Sequence, residues 1–185
     1  MSGLEQILAD IQSDRAEHAR RRNWNPAHIG KIDIRIAADG SWHHEGRRFR
    51  RDDLVRLFAG ILRREADGYY LVTPAEKLAI EVEDAPFIAS LVERIEHDGD
   101  AAIVFTTNIG ERVVVGREHA LRVEIDPDSG EPRPYLHLRD GLEALISRSA
   151  FYDLLNLAEE KQRDDTTCLV VTSMGQEFEL GSIDE

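Results

Sequence analysis

Residues 34–82 read IRIAADGSWHHEGRRFRRDDLVRLFAGILRREADGYYLVTPAEKLAIEV. Ile32, Ile34 and Ile36 alternate with Asp33 and Arg35, the period-two pattern of a half-buried strand. Asp39-Gly40 follows, and both residue types tolerate the positive φ of a tight hairpin. A second short run carries Trp42 and His44 on one face and ends at Gly46. From about Arg51 to Arg64 the pattern turns helical, with Leu54, Leu57, Phe58, Ile61 and Leu62 on one stripe. Asp52 and Asp53 in the first turn and Arg63 and Arg64 in the last complement the helix dipole. Asp67-Gly68 then opens another pair of strands, Tyr69–Thr73 and a run with Leu78, Ile80 and Val82.

The same order returns about a hundred residues later. Leu136–Leu138 precede Asp140-Gly141, Leu142–Ile146 return, and a helix is predicted from about Arg148 to Lys161. A last hairpin joins Leu169–Thr172 to Glu177–Leu180 across Met174-Gly175. Asp39 and Asp140 are 101 apart, Leu54 and Phe151 97, Val72 and Val171 99, Leu78 and Phe178 100. The expected fold class is therefore α+β. Two small domains each carry an antiparallel sheet and one main helix, on a repeated ββαββ motif. The alternative is a coincidence of common elements. A short amphipathic N-terminal helix is expected from Leu4, Ile7, Leu8 and Ile11.

Three regions follow. Residues 1–23 form the N-terminal helix and a basic linker, 24–86 an N-terminal α+β domain, and 87–185 a C-terminal one. Asp84-Ala85-Pro86 is the expected joint. Phe87–His97 fits a helix or a strand; the strand is favoured because Ala101–Thr107 follows as its hairpin partner. Asp126-Pro-Asp-Ser-Gly-Glu-Pro reads as a loop.

The charge is lopsided within a net of −13. Residues 1–84 hold 14 Lys and Arg against 15 Asp and Glu; residues 85–185 hold 9 against 21. The acidic second half repels phosphate backbones, so no nucleic-acid partner is expected. No apolar run approaches the roughly 20 residues that span a bilayer. The N-terminal stretch lacks the pattern of a signal peptide. A cytoplasmic location is the expectation, and the single Cys168, inside the apolar run TTCLVVT, reads as a buried inert thiol.

The chemistry-bearing residues are sparse. His43 and His44 are adjacent on a strand and point to opposite faces, which argues against a shared metal. Arg47, Arg48, Arg50 and Arg51 crowd a helix N-terminus, where cations oppose the dipole unless an anion is present. Asp52 and Asp53 are one answer to that charge and a bound phosphate or carboxylate the other. Thr73, Glu76 and Lys77 share a turn and could in principle do acid–base work, although such turns are usually only solvated. There is no P-loop, no GxSxG elbow, no HExxH and no dinucleotide fingerprint, so no cofactor is expected.

The stretches WNPAHIGKIDIRIAADGSWHHEG, RDDLVRLFAGILRREADGYYLVTPAEKLAIEVEDAPF, FTTN and PYLHLRDGLEALISRSAFYDLLNLAEE span most of the chain from Trp24 to Glu160. In these stretches the chain resembles the bacterial domain-of-unknown-function family 1285. The resemblance implies a two-domain α+β protein with a repeated motif, found in proteobacteria, with no established enzymatic activity. A role in ligand binding or signal transduction has been suggested for such proteins. Trp42, Gly46, Arg51, Thr73, Glu76 and Lys77 match the family pattern. His43-His44 and Arg47-Arg48-Phe49 depart from it.

The leading expectation is a non-enzymatic binding or regulatory protein that holds a small anionic ligand, or a protein partner, in a cleft between its two domains. Trp42 would be an apolar wall, Arg51 the anion contact, and Thr73, Glu76 and Lys77 the adjoining polar groups. No catalytic and no metal-ligating residue is assigned. The alternatives are an enzyme, such as a hydrolase using Glu76 or Lys77, and a pure protein-interaction module.

Overall fold

A computed structural model describes residues 23–97 and 100–183. The chain divides into two compact units, Met1–Asp84 and Ala85–Glu185. The helix expected over residues 4–13 and the basic run at 20–22 lie outside the described residues. Both units are dominated by strands, with two short helices among the described residues.

In the first unit, strands β1 (His28–Ile36), β2 (Trp42–His44) and β3 (Arg47–Arg48) lead into helix α1 (Asp52–Ala59). Strands β4 (Leu62–Glu65), β5 (Gly68–Val72) and β6 (Glu76–Val82) complete it. They form one six-stranded sheet in the order β3-β2-β1-β6-β5-β4. The isoleucine alternation of β1 places Ile32, Ile34 and Ile36 in the core, joined there by Leu71, Leu78 and Ile80. Phe58 of α1 is fully buried over this sheet and stacks on Trp42. Burying side chains of this size stabilises by roughly 1.5–3 kcal/mol each.

The second unit begins with β7 (Phe87–His97), β8 (Asp100–Thr107), β9 (Arg112–Val114) and β10 (Leu121–Ile125). It continues through β11 (Pro132–Arg139), β12 (Leu142–Ile146) and helix α2 (Arg148–Leu155). It ends with β13 (Glu159–Arg163), β14 (Thr166–Ser173) and β15 (Gln176–Ile183). Six strands form a sheet in the order β10-β11-β12-β7-β8-β9, and β13-β14-β15 form a separate three-stranded sheet. Helix α2 packs on β7 and β14 through the buried Ala150, Phe151 and Leu154. Ser173, at the end of β14, is fully buried and hydrogen-bonds the backbone of Ile103 and Val115. β13 is an edge strand. Its Lys161 is paired with Glu177, and Arg163 lies 3.0 Å from Glu177 and 3.1 Å from Glu179, all reaching across β14.

Several expectations are corrected. The sheets are mixed, because β1 pairs parallel with β6 and β12 pairs parallel with β7. Both helices stop early. α1 ends at Gly60, and Leu62–Glu65, expected in its last turns, instead pairs antiparallel with β5. α2 ends at Asn156, and Glu159–Arg163 pairs with β14. Both misread segments, LRRE and EEKQR, are built from residues that favour helices locally, and edge pairing overrides that preference. The constant offsets do not carry into the strand pairing. β4-β5-β6 joins the first sheet through β6 on β1, whereas β13-β14-β15 stands apart because β10 occupies the corresponding side of β11.

The hairpin turns follow the sequence signals. Asp140 (φ 46°) and Gly141 (φ 76°) connect β11 to β12, and Met174 (φ 49°) and Gly175 (φ 70°) connect β14 to β15. Two successive positive-φ residues match the twist of the flanking strands, and glycine accepts that geometry without strain.

Candidate functional site

The residues expected to line a site are placed as follows. Trp42 lies in the core of the first unit, 2% exposed, with its ring 6.3 Å from that of Phe58. Phe49 adds a third ring, 5.7 Å from Phe58. The indole Nε1 is buried with no hydrogen-bond partner among the described residues. Trp42 is thus a wall of the core.

Arg51 occupies the N-cap position of α1, its side chain 76% exposed. Its guanidinium donates to both carboxylate oxygens of Asp53, at 2.8 and 3.3 Å. Asp53 therefore supplies a counter-charge to Arg51, one of the four clustered arginines.

Thr73 is fully buried and shapes the β5–β6 turn. Its Oγ1 accepts from the N–H groups of Ala75 and Glu76 at 3.3 and 3.1 Å. Glu76 Oε2 lies 3.9 Å from His28 Nε2. Lys77 donates to Glu65 at 2.8 Å and sits 4.6 Å over the ring of Tyr70. The hydrogen bond to Glu65 raises the Lys77 pKa, so the amine stays protonated near neutrality. Glu76 and Lys77 are neighbours on β6, so their side chains leave opposite faces of the sheet.

The register separates the two halves of this set. Trp42 pairs with Ile36 at one end of β1, while Glu76 pairs with His28 at the other. Eight residue steps along a strand span about 26 Å. The structure does not gather Trp42 with Thr73, Glu76 and Lys77.

A concave site is found instead within the second unit, with a volume of about 370 Å³. One wall comes from the β10–β11 loop and the start of β11, including Asp126, Glu131, Pro132, Arg133 and Pro134. The other comes from the end of β12 and from α2, including Leu145, Arg148, Phe151, Tyr152 and Leu155. Two arginine–carboxylate pairs frame it. Arg133 Nη1 lies 3.4 Å from Asp126 Oδ2, and Arg148 Nη2 lies 2.7 Å from Glu131 Oε2.

The local chemistry of the first pair is fixed by the loop. Asp126 accepts from the N–H groups of Asp128 and Ser129 and from the Ser129 hydroxyl, at 2.9–3.0 Å. These bonds, led by the Ser129 amide, hold its carboxyl below the usual aspartate range. Arg133 also donates to the Tyr135 hydroxyl at 3.2 Å. On α2, Ser147 caps the helix by accepting from the Ala150 N–H at 3.2 Å, and no acidic residue lies in the first turn. Tyr152 follows Arg148 by four residues and so lies on the same helix face, 60% exposed.

This set was read in the sequence only as a loop, the end of a strand and a helix. The hairpin turn at Asp140-Gly141 carries the missing signal. With Tyr135 opposite Leu145, the register brings the start of β11 alongside the start of α2. No group of three or more His, Cys, Asp or Glu side chains that could hold a metal ion occurs among the described residues. No helix among them is long and apolar enough to cross a membrane.

Residues 21–85 match the family model described as domain of unknown function (DUF1285), N-terminal domain, and residues 86–180 match the corresponding C-terminal domain. The chain belongs to the DUF1285 family. A DUF1285 protein from Silicibacter pomeroyi, known from its crystal structure, is 42% identical, with 96% of this chain and 95% of that chain covered and a TM-score of 0.82. A DUF1285 protein from Shewanella baltica is 29% identical, with 66% of this chain and 90% of that chain covered and a TM-score of 0.53. No curated protein matches the chain. The DUF1285 descriptions assign no activity, so function has to be argued from the site.

Proposed function

We propose that this protein works by binding a small anionic ligand in the concave site of its second unit, as a regulatory or signal-transducing protein rather than as a catalyst. The observation that carries this reading is the composition of the site. Apolar and aromatic walls enclose about 370 Å³, and two arginines stand among them. Small-molecule sites have this make-up, mostly apolar with a few placed polar groups, at roughly 300–1,000 Å³. The acids of the site are each tied to an arginine, and Asp126 stays ionised by its loop hydrogen bonds, which suits recognition better than proton transfer. A cytoplasmic location belongs to the same reading, supported by the single, buried Cys168. The inter-domain cleft built on Trp42 and Arg51 is not part of the proposal, because Trp42 lies in the core of the first unit and offers no exposed wall.

The test is a thermal-shift screen of the purified full chain against anionic metabolites and nucleotides, repeated with Tyr152→Ala. Ligand at a hundred times Kd stabilises by about 2.7 kcal/mol, a readily measured rise in Tm. A hit that Tyr152→Ala weakens supports the reading. A blank screen, or hits indifferent to Tyr152, overturns it and turns attention to a protein partner.

A further inference from the structure

We infer that the site in the second unit takes an aryl carboxylate, whose carboxylate replaces Glu131 on Arg148 while its ring lies between Tyr152 and the proline rings of Pro132 and Pro134. The inference rests on the binding reading above and names the ligand class for that same site.

The two arginines are not equivalent. Arg133 is committed: it is held by Asp126, which is itself fixed by three loop donors, and it donates to Tyr135. Among the described residues Arg148 is held only by Glu131, and the two side chains are 71% and 60% exposed. An exposed pair of this kind contributes little to stability, so a competing anion exchanges with it easily. Glu131 already shows where that anion goes, with its Oε2 2.7 Å from Arg148 Nη2.

The electrostatics of α2 favour the same exchange. Arg148 is the first residue of the helix, and the first turn contains no acidic side chain. A guanidinium and the positive end of a helix dipole thus stand together, and the loop carboxylate of Glu131 is their counter-charge. In α1, by contrast, Asp52 and Asp53 lie within the helix itself. A counter-charge on a separate loop can be displaced without disturbing the helix. A carboxylate matches the guanidinium fork in geometry as well as charge.

The ring preference comes from the lining. Tyr152 presents an exposed aromatic face one turn beyond Arg148. Pro132, exposed, and Pro134, buried behind it, line the loop wall of the same cavity. Arg148, Tyr152 and the two prolines line one cavity of about 370 Å³, a volume that admits a ring joined to a carboxylate by a short linker. A flexible aliphatic chain would lose more conformational freedom for less aromatic contact.

The test titrates the full-length protein with 3-phenylpropionate, its neutral amide 3-phenylpropionamide, and hexanoate, by calorimetry. The expected result is binding of the aryl acid at least tenfold tighter than the amide and several-fold tighter than hexanoate. Arg148→Gln should abolish the preference for acid over amide. Glu131→Gln, by removing the internal competitor, should tighten the acid by threefold or more and leave the amide unchanged. Both side chains are exposed, and an unchanged circular dichroism melt controls for folding. Equal affinity for acid and amide, equal affinity for hexanoate, a weakened acid in Glu131→Gln, or no binding of either aryl compound each overturns the inference. The outcomes separate it from the broader reading: hits in the ligand screen that depend on Tyr152 leave ligand binding standing even when the aryl acid fails.

Discussion

The hydroxyl of Ser173 donates to the carbonyl of Val115 at 2.7 Å and at the same time accepts the N–H of Ile103 at 2.9 Å. The reverse bond, Val115 N–H to Ile103 carbonyl, is made directly at 2.8 Å. A side chain of β14 thus completes a rung of the β8–β9 ladder and ties the small sheet to the large one. Ser173→Ala would leave a buried N–H and a buried carbonyl without partners, each costing about 1–3 kcal/mol. The expected destabilisation is about 2–6 kcal/mol, read as a lower urea midpoint with an unchanged slope. A loss under 0.5 kcal/mol would show the rung to be dispensable.

Trp42 offers a different contrast. Its ring is buried against Phe58, yet its Nε1 is unsatisfied among the described residues. Trp42→Ala should cost about 3–5 kcal/mol through the lost packing and the cavity. Trp42→Phe keeps the stacking partner and removes a donor whose burial costs about 1–3 kcal/mol. Its loss should therefore be less than half that of alanine, as thermal melts of the two variants would show.

Acid should attack two loops together. The Asp39 carboxyl is held below its ordinary value first by the Ser41 hydroxyl and then by the Ser41 amide, and Asp126 first by the Ser129 amide. A folded-state pKa below the unfolded one means that the stabilisation is present above the unfolded value, about 3.9 for aspartate. It is lost as pH falls through the lower folded value. Tm should hold between pH 5 and 7, as flagged by that value of about 3.9, and drop below about pH 4. Asp39→Asn and Asp126→Asn should each flatten the drop, and an unaltered acid limb in both would refute the assignment.

Cys168 should be chemically silent in the native protein. It is buried, and desolvation, with Glu179 adding to it, pushes its thiol pKa up. Iodoacetamide at neutral pH should leave the folded chain unmodified and label it in denaturant. Mass spectrometry showing rapid labelling of the native protein would contradict this.

Much of the strand framework was legible in the sequence. The alternation at Ile32, Ile34 and Ile36 marked β1 and its buried face, and Asp140-Gly141 and Met174-Gly175 marked hairpins that the structure forms. The helix ends were not legible, because Leu62–Glu65 and Glu159–Arg163 carry helix-favouring residues and become strands only by pairing with β5 and β14. Nor was the parallel pairing of β1 with β6, which depends on contacts between residues about 50 positions apart. The candidate site was hidden for the same reason. Glu131 and Arg148 are 17 positions apart and meet only after the β11–β12 hairpin has closed, whereas Trp42 and Arg51 stood out through their local sequence setting and the family pattern.

The edge of the three-stranded sheet has a consequence beyond this molecule's own fold. β13 consists of five polar residues, EEKQR, and its two cations are already engaged with Glu177 and Glu179 on the far side of β14. A strand from another molecule that docked here would have to dehydrate that row and compete with the ion ladder. Charge on an outermost strand is how soluble sheet proteins avoid templating fibrils. The β13 edge of the small sheet is thus guarded against polymerisation by its own side chains.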